Sequence, residues 1–238
     1  SSVTWRSTYR DYWEAEVVGV ERLLEGSTVH LQFRVDPGLL YELEVVAPEG
    51  SHELVRSAVP DPSGAAGMRL AGVGRRGKHL LLHFSPAGSE PGPGGADGSD
   101  GSDGGLTFVV HLMQGGRLVP DEKMSRKPRF GISRWRFEDS PALLLTEAGT
   151  ERKAGVWVVE GDPLSQEPLD HLGPDADEVD RAAFADALVA RNRRIHGILR
   201  EQHGVPGLGR MLANEICHRA RQSPFAMSAK LSDDEVDL

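Results

Sequence analysis

The sequence is poor in cysteine and lacks any long apolar run. Its 238 residues include a single cysteine, Cys217, so the chain by itself can build neither a disulfide framework nor a cysteine-rich zinc site. No stretch approaches the roughly 18 apolar residues of a membrane-spanning helix, and no basic segment followed by an apolar one marks a secretory signal. A soluble, cytoplasmic protein with no membrane partner is therefore expected, and its length suits one large domain or two small ones.

Positive charge is also in deficit, because the formal net charge is −9 at pH 7. This average argues against a nucleic-acid partner, but the distribution of charge argues for one. Residues 191–230 hold eight basic and two acidic side chains, residues 117–136 hold seven and two, and Arg75-Arg76-Gly77-Lys78 adds three cations. Clustered cations on an otherwise acidic body predict a directional site for a polyanion. The alternative interpretation is a solvated charged surface.

Hydrophobic periodicity predicts an α+β fold whose first domain, residues 1–160, combines an N-terminal helix with a β-sandwich. Residues 14–25 place apolar side chains at helical spacing before Gly26 ends the pattern. Residues 85–105 are rich in glycine, serine, aspartate and proline and are predicted to be a disordered loop inside this domain. Strands are predicted at residues 29–35, 43–46, 68–73, 80–84, 106–112, 134–137, 143–146 and 155–159.

A linker rich in aspartate and proline, residues 161–180, is predicted to lead into an all-helical domain at residues 181–238. Ser232 and Glu235 have the spacing of a capping box and predict the start of its last helix. Because the chain ends inside that helix, the natural protein is expected to continue. The earlier helices of this domain are predicted at residues 182–190, 195–202 and 210–221.

The strongest motif is Gly207-Leu208-Gly209, which precedes the helix predicted at residues 210–221. Two glycines allow a ligand to approach the backbone closely, and the free N–H groups of a helix start bind anions such as a DNA phosphate. Such a pair of glycines is more often a simple turn. Here, however, it follows an amphipathic helix that begins directly after Arg193 and Arg194, which favours the nucleic-acid interpretation.

Several motifs occur in the order in which they occur in the formamidopyrimidine-DNA glycosylase / endonuclease VIII family, and the chain resembles a divergent, actinobacterial-type member of it. The resemblance covers about residues 65–238 and includes the helix–two-turn–helix domain of that family. The motifs are RRGKHLL at residues 75–81, HLMQGG at 111–116, TERKAG at 150–155, HLGP at 171–174, GLGR at 207–210 and SPF at 223–225.

The resemblance implies DNA repair by base excision on damaged or abasic double-stranded DNA, with glycosylase and AP-lyase chemistry that removes an oxidised base. Lys78, His111 and Arg210 would contact phosphates, Lys78 would also lie near the reacting sugar, and Arg152 would enter the minor groove opposite the extruded base. The full set of predicted DNA-binding residues is Arg75, Arg76, Lys78, His111, Arg152, Arg193, Arg194, Gly207, Gly209 and Arg210.

The catalytic machinery of the family is only partly matched. Its nucleophile is an N-terminal proline followed by a glutamate, whereas this chain begins with serine and has no proline before Pro37. Lys78 and a glutamate of the N-terminal helix, Glu14 or Glu16, are then the candidate catalytic residues, because an amine is needed to form a Schiff base at the sugar.

Other family positions are also changed. The phosphate-binding asparagine is Arg210 here, which can still bind phosphate. The gap-filling methionine corresponds to Gln114 and the wedge phenylalanine to Ala154, and the C-terminal zinc finger is missing from the sequence. No metal or other cofactor is therefore expected in this chain.

Three functional hypotheses follow. The resemblance favours an enzyme, a monomeric DNA glycosylase / AP lyase associated with the nucleoid. The alternative is a catalytically inactive DNA-binding pseudo-enzyme that lacks the proline nucleophile. A third hypothesis is a helical RNA-binding module, because turns of this kind also recognise RNA shape.

Overall fold

The computed structural model describes residues 40–45, 62–88, 104–150 and 152–238. The predicted N-terminal helix (residues 14–25) and strand 29–35 lie outside the described residues, as do Glu14, Glu16 and most of the predicted loop at 85–105. The described part has an α+β fold, as predicted. Its strands are β1 (Leu40–Val45), β2 (Met68–Arg76), β3 (His79–Pro86), β4 (Leu106–His111), β5 (Gly116–Asp121), β6 (Gly131–Phe137), β7 (Ala142–Glu147) and β8 (Gly155–Glu160).

These strands form two antiparallel, four-stranded sheets that pack face to face. The strand order is β1-β6-β7-β5 in the first sheet and β2-β3-β4-β8 in the second. The facing sides share one apolar core, in which Phe108 of the second sheet meets Trp135 of the first edge to face, with 6.0 Å between ring centroids. Burial of this shared core is what holds the sandwich together.

Strand β5 was not predicted from the sequence. It contains Pro120, and a proline inside an apolar run argues against a strand because it cannot donate a hydrogen bond to the ladder. Among the described strands, β5 lies at the edge of the first sheet and pairs with β7 alone, Pro120 standing opposite Leu143. A missing N–H group is tolerated at such an edge, which explains why the prediction failed there.

The second sheet is covered on both faces. On the side away from the sandwich core, Leu81, Val109 and Val159 pack with Leu169. Leu169 belongs to the segment 161–180, which lies along this outer face. Coverage of both faces explains why β4 is an almost unbroken apolar run, LTFVV at residues 106–110, all of it buried.

The chain after residue 180 is helical and has a core of its own. Helix α2 is a single turn, shorter than the predicted helix at 195–202, because the chain leaves the helical path after Leu199 and turns through Gly204. The capping box predicted at Ser232 is confirmed, since its hydroxyl accepts the Glu235 N–H. The helices are α1 (Arg181–Ala190), α2 (Ile195–Ile198), α3 (Arg210–Arg219) and α4 (Asp233–Val236).

The core of this helical part is formed by residues spread over the first three helices and the turns between them. Its buried members are Leu188, Ile195, Ile198, Leu199, Ala213 and Cys217. Among the described residues, no helix has the length and hydropathy needed to span a membrane.

Candidate nucleic-acid interface

Strand register brings the predicted motifs together at one end of the sandwich. In the second sheet, His79 at the start of β3 pairs with His111 at the end of β4, which pairs with Gly155 at the start of β8. In the first sheet, Glu147 at the end of β7 stands opposite Gly116 at the start of β5. The turn at residues 77–78, the turn at 112–115 and the loop at 148–154 therefore all emerge at this end.

The turn between β2 and β3 is docked onto the segment that precedes α1. The Gly77 N–H donates to Asp175 Oδ1 at 2.6 Å, and Gly77 has a left-handed φ of +56° that favours glycine. A Cβ added at Gly77 would lie 3.1 Å from Pro206 Cβ, so the turn also contacts the glycine-rich turns before α3. Three separately predicted motifs, at residues 75–81, 171–174 and 207–210, thus converge.

Arg75 and Arg76, the last two residues of β2 before this turn, form ion pairs with carboxylates. Arg75 Nη1 lies 3.0 Å from Asp175 Oδ2, whose side chain is buried, and Arg76 Nη1 lies 3.0 Å from Glu178 Oε2. Arg76 Nη2 also donates to the Gly173 carbonyl at 2.8 Å. Both guanidinium groups therefore join the sandwich to the segment before α1, and contact of either with DNA stays a prediction.

Lys78 differs from its arginine neighbours because it has no ion pair among the described residues. Its side chain is half-buried, and burial together with the nearby charge of Arg200 lowers the pKa of Lys78 below its usual value of 10.5. Arg200 is also without an ion pair in the described part of the chain, and it was not among the predicted site residues. Two unpaired cations beside each other form a site that an anion would stabilise.

His111 pairs with His79, the residue next to Lys78, and its contact with a phosphate stays a prediction. Its Nδ1 accepts the Met113 N–H at 2.9 Å, so the neutral ring carries its proton on Nε2. Burial and the charge of Lys78 lower the pKa of His111. The ring of His79 stands edge to face against His111 with 4.5 Å between centroids, and burial followed by the charge of His111 lowers the pKa of His79 to about 4.

The glycine motif begins α3 without a side-chain cap. Gly209 occupies the N-cap position, where it makes no capping hydrogen bond, and Arg210 next to it is exposed. Gly207 has a φ of +99° and donates its N–H to Gln202 Oε1 at 3.2 Å. Within the described part of the chain, the first N–H groups of this ten-residue helix therefore have no side-chain cap and lie next to a cation, an arrangement that suits a phosphate.

Arg152 lies in the loop between β7 and β8, at the same end of the sandwich. Its guanidinium carbon is 5.9 Å from the centroid of the Phe130 ring, and that of Arg129 is 4.8 Å from it. The loop is fixed by Glu147, whose carboxylate accepts the N–H groups of Lys153 and Ala154 at 2.6 and 2.7 Å. Ala154, the position of the wedge phenylalanine in the family, is fully buried.

Arg193 and Arg194 precede α2, and the structure gives them different partners. Arg193 is paired with the Glu201 carboxylate, and Arg191 reaches the same group at 3.2 Å. The guanidinium carbon of Arg194 lies 5.3 Å from the centroid of the exposed Phe225 ring. No group of three or more potential metal ligands occurs among the described residues.

The described fold joins a β-sandwich to a helical unit, and the predicted motifs at residues 75–81, 171–174 and 207–210 meet at the junction of the two. No family model matches the sequence. Individual curated proteins do match: the formamidopyrimidine-DNA glycosylase of Heliobacterium modesticaldum is 31% identical over 179 residues, 71% of this chain and 56% of that protein. The enzyme of the same name from Pelotomaculum thermopropionicum is 29% identical over 180 residues, 72% of this chain and 56% of its own length.

Solved structures of similarly named proteins share the fold. That of MutM (Fpg) from Thermus thermophilus has a TM-score of 0.62 at 22% identity, with 84% of this chain and 63% of that chain covered. The formamidopyrimidine-DNA glycosylase of Lactococcus lactis, bound to DNA containing an AP site, has a TM-score of 0.65 at 17% identity, with 84% and 69% covered. The chain is thus similar in sequence to formamidopyrimidine-DNA glycosylases, and it shares the fold of the solved structures that carry this name. It spans a little over half the length of the curated relatives that it matches.

Proposed function

We propose that the chain binds damaged or abasic double-stranded DNA across the junction of its two parts, and that it is a DNA glycosylase / AP lyase of base excision repair. The observation that carries this proposal is the docking of the Lys78 turn, through Gly77, onto Asp175 and onto the turns at Pro206 and Gly207 that precede the uncapped start of α3. The groups proposed to bind phosphates come from two regions of the sequence and are brought together by this docking, as a kinked duplex would require. The names of the relatives support the same substrate.

Helices α2 and α3 with the turns between them would form a helix–two-turn–helix unit that binds the DNA backbone. The N–H groups at the start of α3 and the side chain of Arg210 would bind one phosphate, and Lys78 and His111 would bind others. Contacts to phosphates position the duplex and carry no base specificity. We expect the chain to act as a monomer, and in the cytoplasm in association with the nucleoid.

Lys78 is the described residue best suited to supply the amine for the lyase step. A free amine condenses with the C1′ aldehyde of an abasic site, water leaves, and the resulting imine eases loss of the 3′ phosphate by elimination. Burial and the charge of Arg200 lower the pKa of Lys78, and this increases the fraction of free amine near neutral pH. Glu14 and Glu16 stay candidates for proton transfer.

A second candidate function is DNA binding without catalysis. Arg200, which has no ion pair among the described residues, supports it, because a phosphate bound between two adjacent cations would favour the protonated form of the Lys78 amine. In that case the Lys78 amine stays protonated and forms no covalent intermediate.

Borohydride trapping on a duplex with an abasic site tests the proposal and separates these functions. We expect a covalent adduct with the unaltered chain that is lost in Lys78→Ala and retained in Lys127→Ala, a change at an exposed lysine of the β5–β6 connection. Binding without an adduct would establish the non-catalytic alternative, and an adduct mapped to the N-terminal amine would refute the role of Lys78. Preference for structured RNA over duplex DNA at matched salt would overturn the proposal itself.

A further inference from the structure

Two histidines without an assigned role meet beside the turn between β2 and β3. His171 belongs to the segment before α1 and His203 to the turns after α2, and 5.0 Å separates the centroids of their rings. Both residues are exposed. This histidine pair therefore combines two regions of the sequence in one surface that a ligand can reach from the solvent.

Backbone contacts hold the histidine pair in place. The Gly173 N–H donates to the Gln202 carbonyl at 3.3 Å, and a Cβ added at Gly173 would lie only 2.6 Å from the His203 carbonyl oxygen. His203 Nδ1 donates to the His171 carbonyl at 2.9 Å, because a carbonyl oxygen can only accept. Close approach of the two backbones thus positions the pair before any ligand binds, which lowers the cost of binding.

The histidine pair borders the site of the two adjacent cations. A Cβ added at Gly77 would lie 3.5 Å from Leu172 Cδ1 and 3.6 Å from Gln202 Oε1, and these two residues are the chain neighbours of the histidines. Lys78 follows Gly77, and neither Lys78 nor Arg200 has an ion pair among the described residues. An anion held by these two cations would therefore lie close to the histidine pair.

The charges around the histidine pair are mainly those of basic groups. Asp170 Oδ1 lies 3.2 Å from His171 Nδ1, but the two side chains are 52% and 46% exposed, so their ion pair is weak. The nearby carboxylates of Asp175, Asp177, Glu178 and Glu201 are paired with arginines. The elements packed against the pair contribute Lys78, His79, His111 and Arg200.

Each ring of the histidine pair has one nitrogen available for a ligand. Nδ1 has a partner in both rings, the Asp170 carboxylate for His171 and the His171 carbonyl for His203. Nε2 has no hydrogen-bond partner among the described residues. Because the proton of neutral His203 is on Nδ1, protonation of the ring adds both a charge and an N–H donor at Nε2. A phosphate accepts such charged donors and in turn favours the protonated ring.

We propose that His171 and His203 form a further phosphate-binding site for the DNA backbone, and that the pair takes up protons from the solvent when it binds. The inference rests on the proposed function, because the same duplex would extend from the Lys78 turn over the pair. It adds to that function a dependence of DNA affinity on pH. The pair acts as additional positive charge at low pH and contributes little when its rings are neutral.

The experiment measures proton uptake by the full chain on DNA binding. The duplex carries a tetrahydrofuran abasic analogue, which has no aldehyde and cannot react with an amine. Calorimetric titrations at fixed salt in two buffers of different ionisation enthalpy give the number of protons taken up at pH 7. We expect about one proton per duplex bound, and an affinity that rises about tenfold between pH 8 and pH 6.

Variants of the two rings assign this proton. His203→Asn keeps a donor for the His171 carbonyl but removes the titrating ring, and His171→Asn makes the same test at the other ring. Each should take up fewer protons and bind more weakly than the unaltered chain at pH 6, but equally well at pH 8. His203→Arg supplies a permanent charge and should bind more tightly at pH 8. His218→Asn, at an exposed histidine of α3, is the matched control and should leave uptake and affinity unchanged.

The outcomes separate this site from the proposed function. If the unaltered chain binds the duplex and both asparagine variants take up as many protons, the site is refuted and the proposed function stands. If the asparagine variants weaken binding equally at pH 6 and pH 8, the rings only support the fold of the turns, and the site is again refuted. If the unaltered chain binds the duplex at neither pH, both proposals fail.

Discussion

At the scale of the residue, the lowered pKa of His79, which follows Lys78, predicts that the stability of the fold depends on pH. Burial and the charge of His111 lower the pKa of His79 to about 4, so the folded chain binds this proton less readily than the unfolded chain does. The stability contribution of neutral His79 is present above about pH 6.5, the ordinary histidine pKa, and is lost as the pH falls towards 4. Between pH 7 and pH 5 this loss should be about 2 kcal/mol.

Denaturant unfolding at these two pH values checks the expectation. His79→Leu removes the titrating group, so its free energy of unfolding should fall less between pH 7 and pH 5 than that of the unaltered chain. The neighbouring His83 and His111 also have lowered pKa values and remain in the variant, which serves as the control for their contribution. An equal fall in both chains would show that His79 does not carry the effect.

Single residues also show where sequence reasoning reaches its limit. The order of motifs predicted that Lys78 and His111 lie in one region, and the pairing of His79 with His111 places them there. The sequence does not show that Arg75 and Arg76, unlike Lys78, are ion-paired, because their carboxylate partners lie about a hundred positions away. The position of Arg152 near the Phe130 ring depends on contact between loops, which no local pattern encodes.

At the scale of the element, the start of α3 allows stability and DNA binding to be separated. Gly209 is the N-cap, its φ is −99°, and a Cβ added there would meet nothing within 4 Å. Gly209→Asp should therefore cap the helix and favour its dipole, raising the free energy of unfolding by about 0.5–1 kcal/mol. The same carboxylate would occupy the N–H groups and repel a phosphate, so affinity for DNA should fall.

The expected result is that Gly209→Asp raises the free energy of unfolding and lowers the affinity for DNA. Thermal melting and DNA titration at fixed salt measure them, and Gly209→Ala, which adds a Cβ without a carboxylate, is the matched control. A stabilised Gly209→Asp variant that binds DNA as well as the unaltered chain would show that the start of α3 faces away from the phosphates.

Periodicity predicted most of the described strands but not all helix lengths. The apolar runs of β3, β4 and β8 are clear in the sequence because those strands are buried on both faces. Edge strand β5 is hidden by Pro120. Helix α2 stops after one turn although its pattern continues, because contacts of the following turns with the sandwich, such as Pro206 against Gly77, determine the path of the chain.

At the scale of the whole molecule, one buried carboxylate couples the sandwich to the helical part. Asp175 accepts the Gly77 N–H and pairs with Arg75, and its side chain is 5% exposed. Asp175→Ala should lower the free energy of unfolding by about 2 kcal/mol, because the buried Gly77 amide loses its acceptor. It should also weaken DNA binding, since the Lys78 turn loses its support.

Asp177→Ala is the matched control for this coupling. Asp177 contacts the same Arg75 at 3.4 Å, but the two side chains are 45% and 47% exposed, and such a pair contributes less than about 0.5 kcal/mol. Denaturant unfolding compares the variants. Equal effects of the two substitutions would show that Arg75, and not the buried hydrogen bond to Gly77, holds the junction.

Because some cations of the described residues are ion-paired and others are not, they should contribute differently to the salt dependence of DNA binding. A chain with a net charge of −9 binds a polyanion only through local cations, and each phosphate contact contributes about −0.9 to the slope of log K against log salt. Arg200→Gln should therefore reduce the slope by about 0.9 without changing the melting temperature. Arg76 is held by Glu178 and the Gly173 carbonyl, so Arg76→Gln should lower the melting temperature and leave the slope unchanged. Fluorescence titrations over a range of salt concentrations measure the slope for each variant. Equal slopes for Arg200→Gln and Arg76→Gln would contradict the prediction, because they would mean that an ion-paired arginine exchanges its carboxylate for a phosphate when DNA binds.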